Sequence, residues 1–218
     1  MNTRGQFHHE IEEINQDIIQ VAKLTEKALN NALNSLYEQD ITLANQVIED
    51  DKEIDKKEID INDKVILLIA KQQPVATDLR RLITALKIVT DLERMADNAK
   101  NIARSAIRLG ENGETLLPHG LANMQTYIIE MLQIAMESFS NEDIILAAQL
   151  SEMDDRVDKQ NKLIISELLG ETATKPDKIQ YIMQVAFCAR YLERYADHIT
   201  NIGESILYLV KGENFNLN

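Results

Sequence analysis

Residues Leu92–Leu109 read LERMADNAKNIARSAIRL, and one hundred positions later Leu192–Leu209 read LERYADHITNIGESILYL. Leu92/Leu192, Glu93/Glu193, Arg94/Arg194, Ala96/Ala196, Asp97/Asp197, Asn101/Asn201 and Ile102/Ile202 are identical pairs. Identity that dense at one fixed offset marks a duplicated structural unit. Within each copy the apolar residues step by three and four: Ala85, Ile88, Leu92, Met95, Ala99, Ile102, Ala106 and Leu109 in the first, Val185, Cys188, Leu192, Tyr195, Ile199, Ile202, Ile206 and Leu209 in the second. That spacing is the seam of a packed helix. Glu93 with Asp97, and Glu193 with Asp197, stand one turn apart on a different side of the same helix. Two like charges so placed destabilise an exposed helix by about 0.2–0.5 kcal/mol unless a cation neutralises them. Both copies keep the same penalty, which asks for a reason.

The same periodicity runs outward from the repeat. Ile11, Ile14, Ile18, Val21, Leu24, Ala28, Ala32 and Leu36 predict a first helix from Phe7 to about Tyr37. Asp40 caps a second, which runs to about Lys71 along a seam of Ala44, Val47, Asp51, Ile54, Glu58, Ile61, Val65 and Leu68. Asp51 stands where a core side chain belongs, and Asp55 follows one turn later. Pro74 is placed to open the third helix, which ends near Gly110. The segment Glu111 to Gly120, with two Gly and a Pro, is the predicted boundary between halves. A fourth helix spans about Leu121 to Phe139, and Asn141-Glu142-Asp143 supplies the next cap. The fifth has the seam Ala147, Leu150, Asp154, Val157, Asn161, Ile164 and Leu168, with Asp154 and Asp158 matching Asp51 and Asp55. It is expected to end around Gly170 to Pro176, and the sixth, carrying the second repeat, runs to about Lys211. The fold class is therefore all-α: six antiparallel helices in two tandem three-helix bundles related by internal duplication. Residues 1–112 form the first bundle, 118–212 the second, and 213–218 a frayed tail.

Composition narrows the function. No window approaches the roughly 18 uninterrupted apolar residues of a membrane span, and the amino end has no apolar core for a secretory signal, so a soluble, cytoplasmic chain without membrane insertion is expected. A net charge of −13 with no basic run excludes a phosphate-neutralising surface for nucleic acid, and points to cations or basic protein surfaces as partners. The single cysteine, Cys188, lies on an apolar seam and reads as a small buried hydrophobe.

Four acidic pairs carry the chemistry: Asp51 with Asp55, Glu93 with Asp97, Asp154 with Asp158, and Glu193 with Asp197. The second and third helices of each bundle are antiparallel neighbours, so four carboxylates converge per half if the pairs face one another. Such a site suits oxygen-loving cations, Mg, Mn, Fe or Ca, better than zinc, which recruits His or Cys. His198, beside Asp197, is a further candidate ligand, although its first-half counterpart is Asn98. Against this stand solvated helix faces, where acids at i and i+4 are common, and Arg94 and Arg194, each placed to neutralise its neighbours as a structural ion pair. A carboxylate-bridged di-metal enzyme is disfavoured, because such bundles use Glu-x-x-His segments and none occurs here. Bare acidic faces repel phosphate, so direct phosphate binding would need a bound cation to reverse the sign.

Three segments resemble a known family: VIEDDKEID at Val47–Asp55, QQPVATDLRRLITALKIVTDLERMADNAKNIA at Gln72–Ala103, and AFCARYLERYADHITNIGE at Ala186–Glu204. They are similar to PhoU, the bacterial regulator of phosphate-specific transport, over nearly the whole chain. Asp78-Leu79-Arg80, with Lys87, belongs to that pattern and has no second-half equivalent, where Lys178-Ile179-Gln180 stands. The resemblance implies a non-enzymatic adaptor, a homodimer, that represses the phosphate-starvation response by linking the ATPase subunit of the phosphate ABC transporter to a sensor histidine kinase. It also implies multinuclear iron or zinc clusters on Asp51, Asp55, Glu93, Asp97, Asp154, Asp158, Glu193 and Asp197, with Mn, Mg or Ca as other ions. A helical adaptor whose acidic faces dock basic partners without functional metal is the alternative.

Overall fold

The computed structural model describes residues 3–110, 117–174 and 176–217. Among them the chain is helical and holds no strand. Helices α1 (Thr3–Glu38), α2 (Ile41–Gln72) and α3 (Ala76–Leu109) make one bundle, and α4 (His119–Asn141), α5 (Ile144–Thr174) and α6 (Ile179–Lys211) the other, with a single 3₁₀ turn at Pro176–Lys178 before α6. The all-α fold of six helices in two similar halves is as the periodicity predicts.

Local chemistry sets the helix ends. Asp40 is extended, and its carboxylate accepts a hydrogen bond from the Leu43 N–H at 2.9 Å, satisfying one of the orphan donors of α2. Asp143 does the same for α5, accepting from the N–H groups of Ile145 (2.8 Å) and Leu146 (3.3 Å). Replacing Asp40 by Ala should lower stability by about 1 kcal/mol, read from a urea midpoint shift at unchanged slope.

Two expectations need correction, and a third holds. Pro74 does not open α3: Gln73 and Ala76 both have positive φ, with Val75 extended between them, and this reversal delays helical geometry until after Ala76. Helix α5 ends at Thr174, within the predicted Gly170 to Pro176 stretch, with Gly170 itself still helical. A lone exposed glycine costs a helix only about 1 kcal/mol relative to Ala, and the next breaker is Pro176. The tail is not frayed at Leu217. Its N–H donates to Glu204 Oε1 (2.8 Å), its carbonyl accepts from Ser151 Oγ (2.6 Å), and its side chain packs on the core between α5 and α6. The predicted junction between halves falls largely on residues 111–116, outside the described residues.

Helices α3 and α6, the two copies of the repeat, pack against each other along their lengths and run antiparallel. Arg80 donates to the Leu209 carbonyl, Thr84 to that of Ser205, and Asp91 meets His198, so climbing one helix descends the other. Arg80 thereby satisfies a carbonyl at the C-terminal end of α6, and Lys87 lies 5.0 Å above the Tyr208 ring. Arg80 and Lys87 thus contribute to joining the halves, and Asp78 pairs with Arg81, which reaches Glu142 of the second half at 2.8 Å. The seams predicted from the repeat are buried: Leu92, Met95, Ala99 and Ile102 on α3, and Leu192, Tyr195, Ile199 and Ile202 on α6, belong to one continuous apolar core shared by all six helices. Each such large side chain stabilises the fold by roughly 1.5–3 kcal/mol. Cys188 is fully buried, and burial pushes its thiol up to about 12.

Candidate metal centres

In the first half Asp51 sits on the buried seam of α2 between Val47 and Ile54 and is only 5% exposed. Its Oδ2 pairs with the Lys100 ammonium from α3, which also pairs with Asp97. Asp51 Oδ1 is buried with no hydrogen-bond partner in the protein. Burial raises the Asp51 carboxyl above its ordinary value, and Lys100 opposes the rise. Burial also pulls on Lys100, but its bonds to the two aspartates outweigh that and hold it above the ordinary lysine value. Glu93 is pushed up to about 7, first by burial and then by the charges of Asp97, Asp55, Glu58 and Asp51. The α2 and α3 pairs therefore face one another, and Lys100 stands among them.

The second half repeats the acids and changes the cation. Asp154, Asp158, Glu193 and Asp197 line an open basin of ≈ 420 Å³ together with His198 and Asn201. Asp154 is raised to about 7 by burial and by Asp197, Asp158, Glu193 and Asp155. Glu193 is raised by burial and Asp197, against the opposing pull of Arg190, with which it pairs. Burial likewise raises Asp197, and Arg190 opposes it. Where Lys100 stands in α3, α6 has Thr200, whose hydroxyl donates to the Ala196 carbonyl of its own helix at 3.2 Å.

A third group joins the halves. Asp91, nearly buried at the α3–α6 contact, pairs through Oδ1 with His198 Nδ1 at 2.9 Å and accepts from Asn201 Nδ2 at 3.2 Å. The candidate ligand His198 thus has one ring nitrogen committed, leaving Nε2 for any ion, the arrangement in which a carboxylate orients a ligating imidazole. Arg94 and Arg194, named as neutralising cations, are exposed and form no ion pair among the described residues; Lys100 and Arg190 make the pairs, while the Arg194 charge also opposes the rise of Glu193 and Asp197. Neither Lys100 nor Asp91 stood out in the sequence. Their counterparts are Thr200 and Tyr191, so matching the repeats gave no signal for them.

The two acidic faces differ in how well they fit a metal. Among the described residues, no three acids or histidines already stand close enough round one point to hold an ion. Unneutralised carboxylates repel one another, so an ion would have to draw them in. The second-half donors suit such an ion, being four carboxylates and an imidazole edge that line one open basin. The first-half donors suit it only if Lys100 leaves.

The raised carboxyls set a pH dependence. Between about pH 4 and 7 folded Glu93 and Asp154 keep protons that the unfolded chain has released, so stability contributed by protonation falls as pH rises and is gone above about 7. After allowance for solvent screening the loss is about 2–4 kcal/mol for the two together. Metal-free protein should melt at lower temperature at pH 8 than at pH 5.5, and a divalent cation added at pH 8 should recover part of the difference. Thermal scans at both values check it.

A family model described as the PhoU domain matches residues 18–106 and again 121–206, one match per half. The chain belongs to the PhoU family. It is 40% identical over 205 residues to the phosphate-specific transport system accessory protein PhoU homolog of Aquifex aeolicus, covering 94% of this chain and 92% of that one. Identity to the homolog of the same description from Pseudomonas aeruginosa is 36% over 210 residues, with 95% and 86% covered. Two solved structures share the fold. The crystal structure of PhoU from Pseudomonas aeruginosa superposes with a TM-score of 0.89 at 35% identity, covering 95% of this chain and all of that one. The phosphate transport system regulatory protein PhoU from Streptococcus pneumoniae gives 0.90 at 28% identity, with 96% and 99% covered. The expected family and its duplicated bundle are thereby established.

Proposed function

We propose that this PhoU protein is a non-enzymatic accessory of phosphate uptake, working at the cytoplasmic face of the membrane. It represses the phosphate-starvation response by linking the ATPase subunit of a phosphate ABC transporter to a sensor histidine kinase. The observation that carries this is similarity over nearly the whole chain to proteins named as accessories of phosphate-specific transport. A helical scaffold offering two acidic faces suits an adaptor, and among the described residues no helix is long and apolar enough to cross a membrane. A homodimer is part of the same proposal.

The acidic faces are proposed as metal sites. Asp154, Asp158, Glu193 and Asp197 would hold the ion in the second half, with iron, zinc or manganese suited to the mixture of carboxylates and the His198 edge. Asp51, Asp55, Glu93 and Asp97 would do so in the first half once Lys100 withdrew. A bound ion would supply positive charge that ties α5 to α6, or α2 to α3, and reverse the sign of a face that otherwise repels phosphate. The second reading, a metal-independent adaptor, is favoured by Lys100 itself: an ammonium already seats among acids as a partner's lysine would.

Native mass spectrometry after supply of Fe, Mn, Zn and Mg separates the two. A metal adduct is expected, and it should disappear when Glu93→Gln, Asp97→Asn, Glu193→Gln and Asp197→Asn are combined. If the adduct disappears while ATPase-subunit binding and phosphate repression persist, the metal-independent adaptor is correct.

A further inference from the structure

We infer that Lys100 is the resident cation of the first acidic quartet and keeps metal ions out of it, so that the two halves are not equivalent sites. The inference rests on the metal-site reading and sharpens it.

The Lys100 side chain is 16% exposed and bonds to Asp51 and Asp97 at once. One of those partners, Asp51, comes from α2 and the other from α3, so the ammonium already makes the cross-helix bridge that an ion would make. A divalent cation entering this quartet must either expel the ammonium from a largely buried position or accept a positive neighbour inside the same cluster. Like charges at that range in a partly dry site oppose each other strongly. Expulsion has its own cost, since it leaves Lys100 without its two carboxylate partners.

No such obstacle stands in the second half. The repeat-equivalent Thr200 is uncharged and turns its hydroxyl to its own helix. The cations near these acids reach in from solvent: Arg190, 57% exposed, pairs with Glu193, Lys162, 76% exposed, with Asp158, and Arg194, also exposed, lines the basin rim without an ion pair among the described residues. Side chains so placed swing into water at little cost. The second half also has His198, oriented by Asp91 from the other half, where the first half has Asn98, whose amide is spent on the Arg94 carbonyl. The acids are duplicated, but the cation that neutralises them from within is not.

Titration with Zn²⁺ and Mn²⁺ followed by native mass spectrometry of the full chain tests this, with circular dichroism confirming that each variant is folded. Asp154→Asn combined with Asp197→Asn should abolish metal binding in the otherwise natural chain. Adding Lys100→Thr should restore a site, and that site should vanish again with Glu93→Gln and Asp97→Asn. Should bare Asp51 prevent Lys100→Thr from folding, Lys100→Gln puts an uncharged amide beside Asp51 and should likewise gain metal. Persistence of metal in the Asp154→Asn/Asp197→Asn chain, lost only when Glu93 and Asp97 are replaced, overturns the role given to Lys100 and leaves metal binding intact. So does a failure of both Lys100 variants to gain an ion when the natural chain binds one in its second half. Absence of metal from every chain, natural and variant, overturns the metal reading and this inference with it.

Discussion

Replacing Lys100 by Met should lower the free energy of unfolding by about 3 kcal/mol at pH 7.5, as measured by urea denaturation. The loss comes less from the deleted attraction than from what remains: Asp51, 5% exposed, with one oxygen already lacking a partner and the other newly stripped. A buried carboxylate in that state takes up a proton. Its carboxyl is raised by burial even with Lys100 present, and removing the ammonium raises it further. A raised carboxyl contributes stability at pH values where the folded state holds the proton, and that contribution disappears as pH rises. The Lys100→Met cost should therefore shrink towards pH 5 and grow towards pH 8. Asp51→Asn in the same chain should recover most of it, because an amide needs no counter-charge. A cost that is flat with pH would show that Lys100 acts through packing of its stem alone.

Tyr195→Ala should cost more, about 3–5 kcal/mol. Tyr195 is the largest fully buried side chain, and its hydroxyl donates across the halves to the Thr25 carbonyl on α1 at 3.2 Å. Thr25 in turn donates its hydroxyl to the Val21 carbonyl of its own helix at 2.9 Å, with the Leu92 carbonyl of α3 a more distant acceptor at 3.4 Å. Truncation empties a ring-sized volume where α1, α3 and α6 meet and leaves little that can relax into it. Tyr195→Phe keeps the ring and should cost only about 1 kcal/mol. Because the core is continuous through both bundles, the Ala variant should still unfold in one transition by circular dichroism and by fluorescence.

The fold was legible because packing writes itself into a long helix as apolar residues three and four apart, and every predicted helix is present. The seam acids were legible for a similar reason: Asp51 and Asp154 interrupt a seam at the same place in both halves, and an interruption made twice stands out. A breaker misled where reversed φ angles outlasted a proline, as at Pro74. The tail lacked periodicity, yet Leu217 found a slot beside Gly203, where the missing Cβ leaves room for its side chain. Lys100, Asp91 and the Arg190–Glu193 pair escaped notice because they belong to one half only. Comparison of repeats detects what the halves share and passes over what distinguishes them.

The antiparallel pairing of α3 with α6 has the form of an isologous interface, the kind two identical chains make around a twofold axis, here enclosed within a single polypeptide. A half taken alone would leave Arg80, Thr84 and Asp91 without the α6 groups they bond. Two halves joined in one chain need not be symmetric. Positions 91/191, 98/198 and 100/200 differ between the copies, and the unlike charges of the two acidic faces express that freedom.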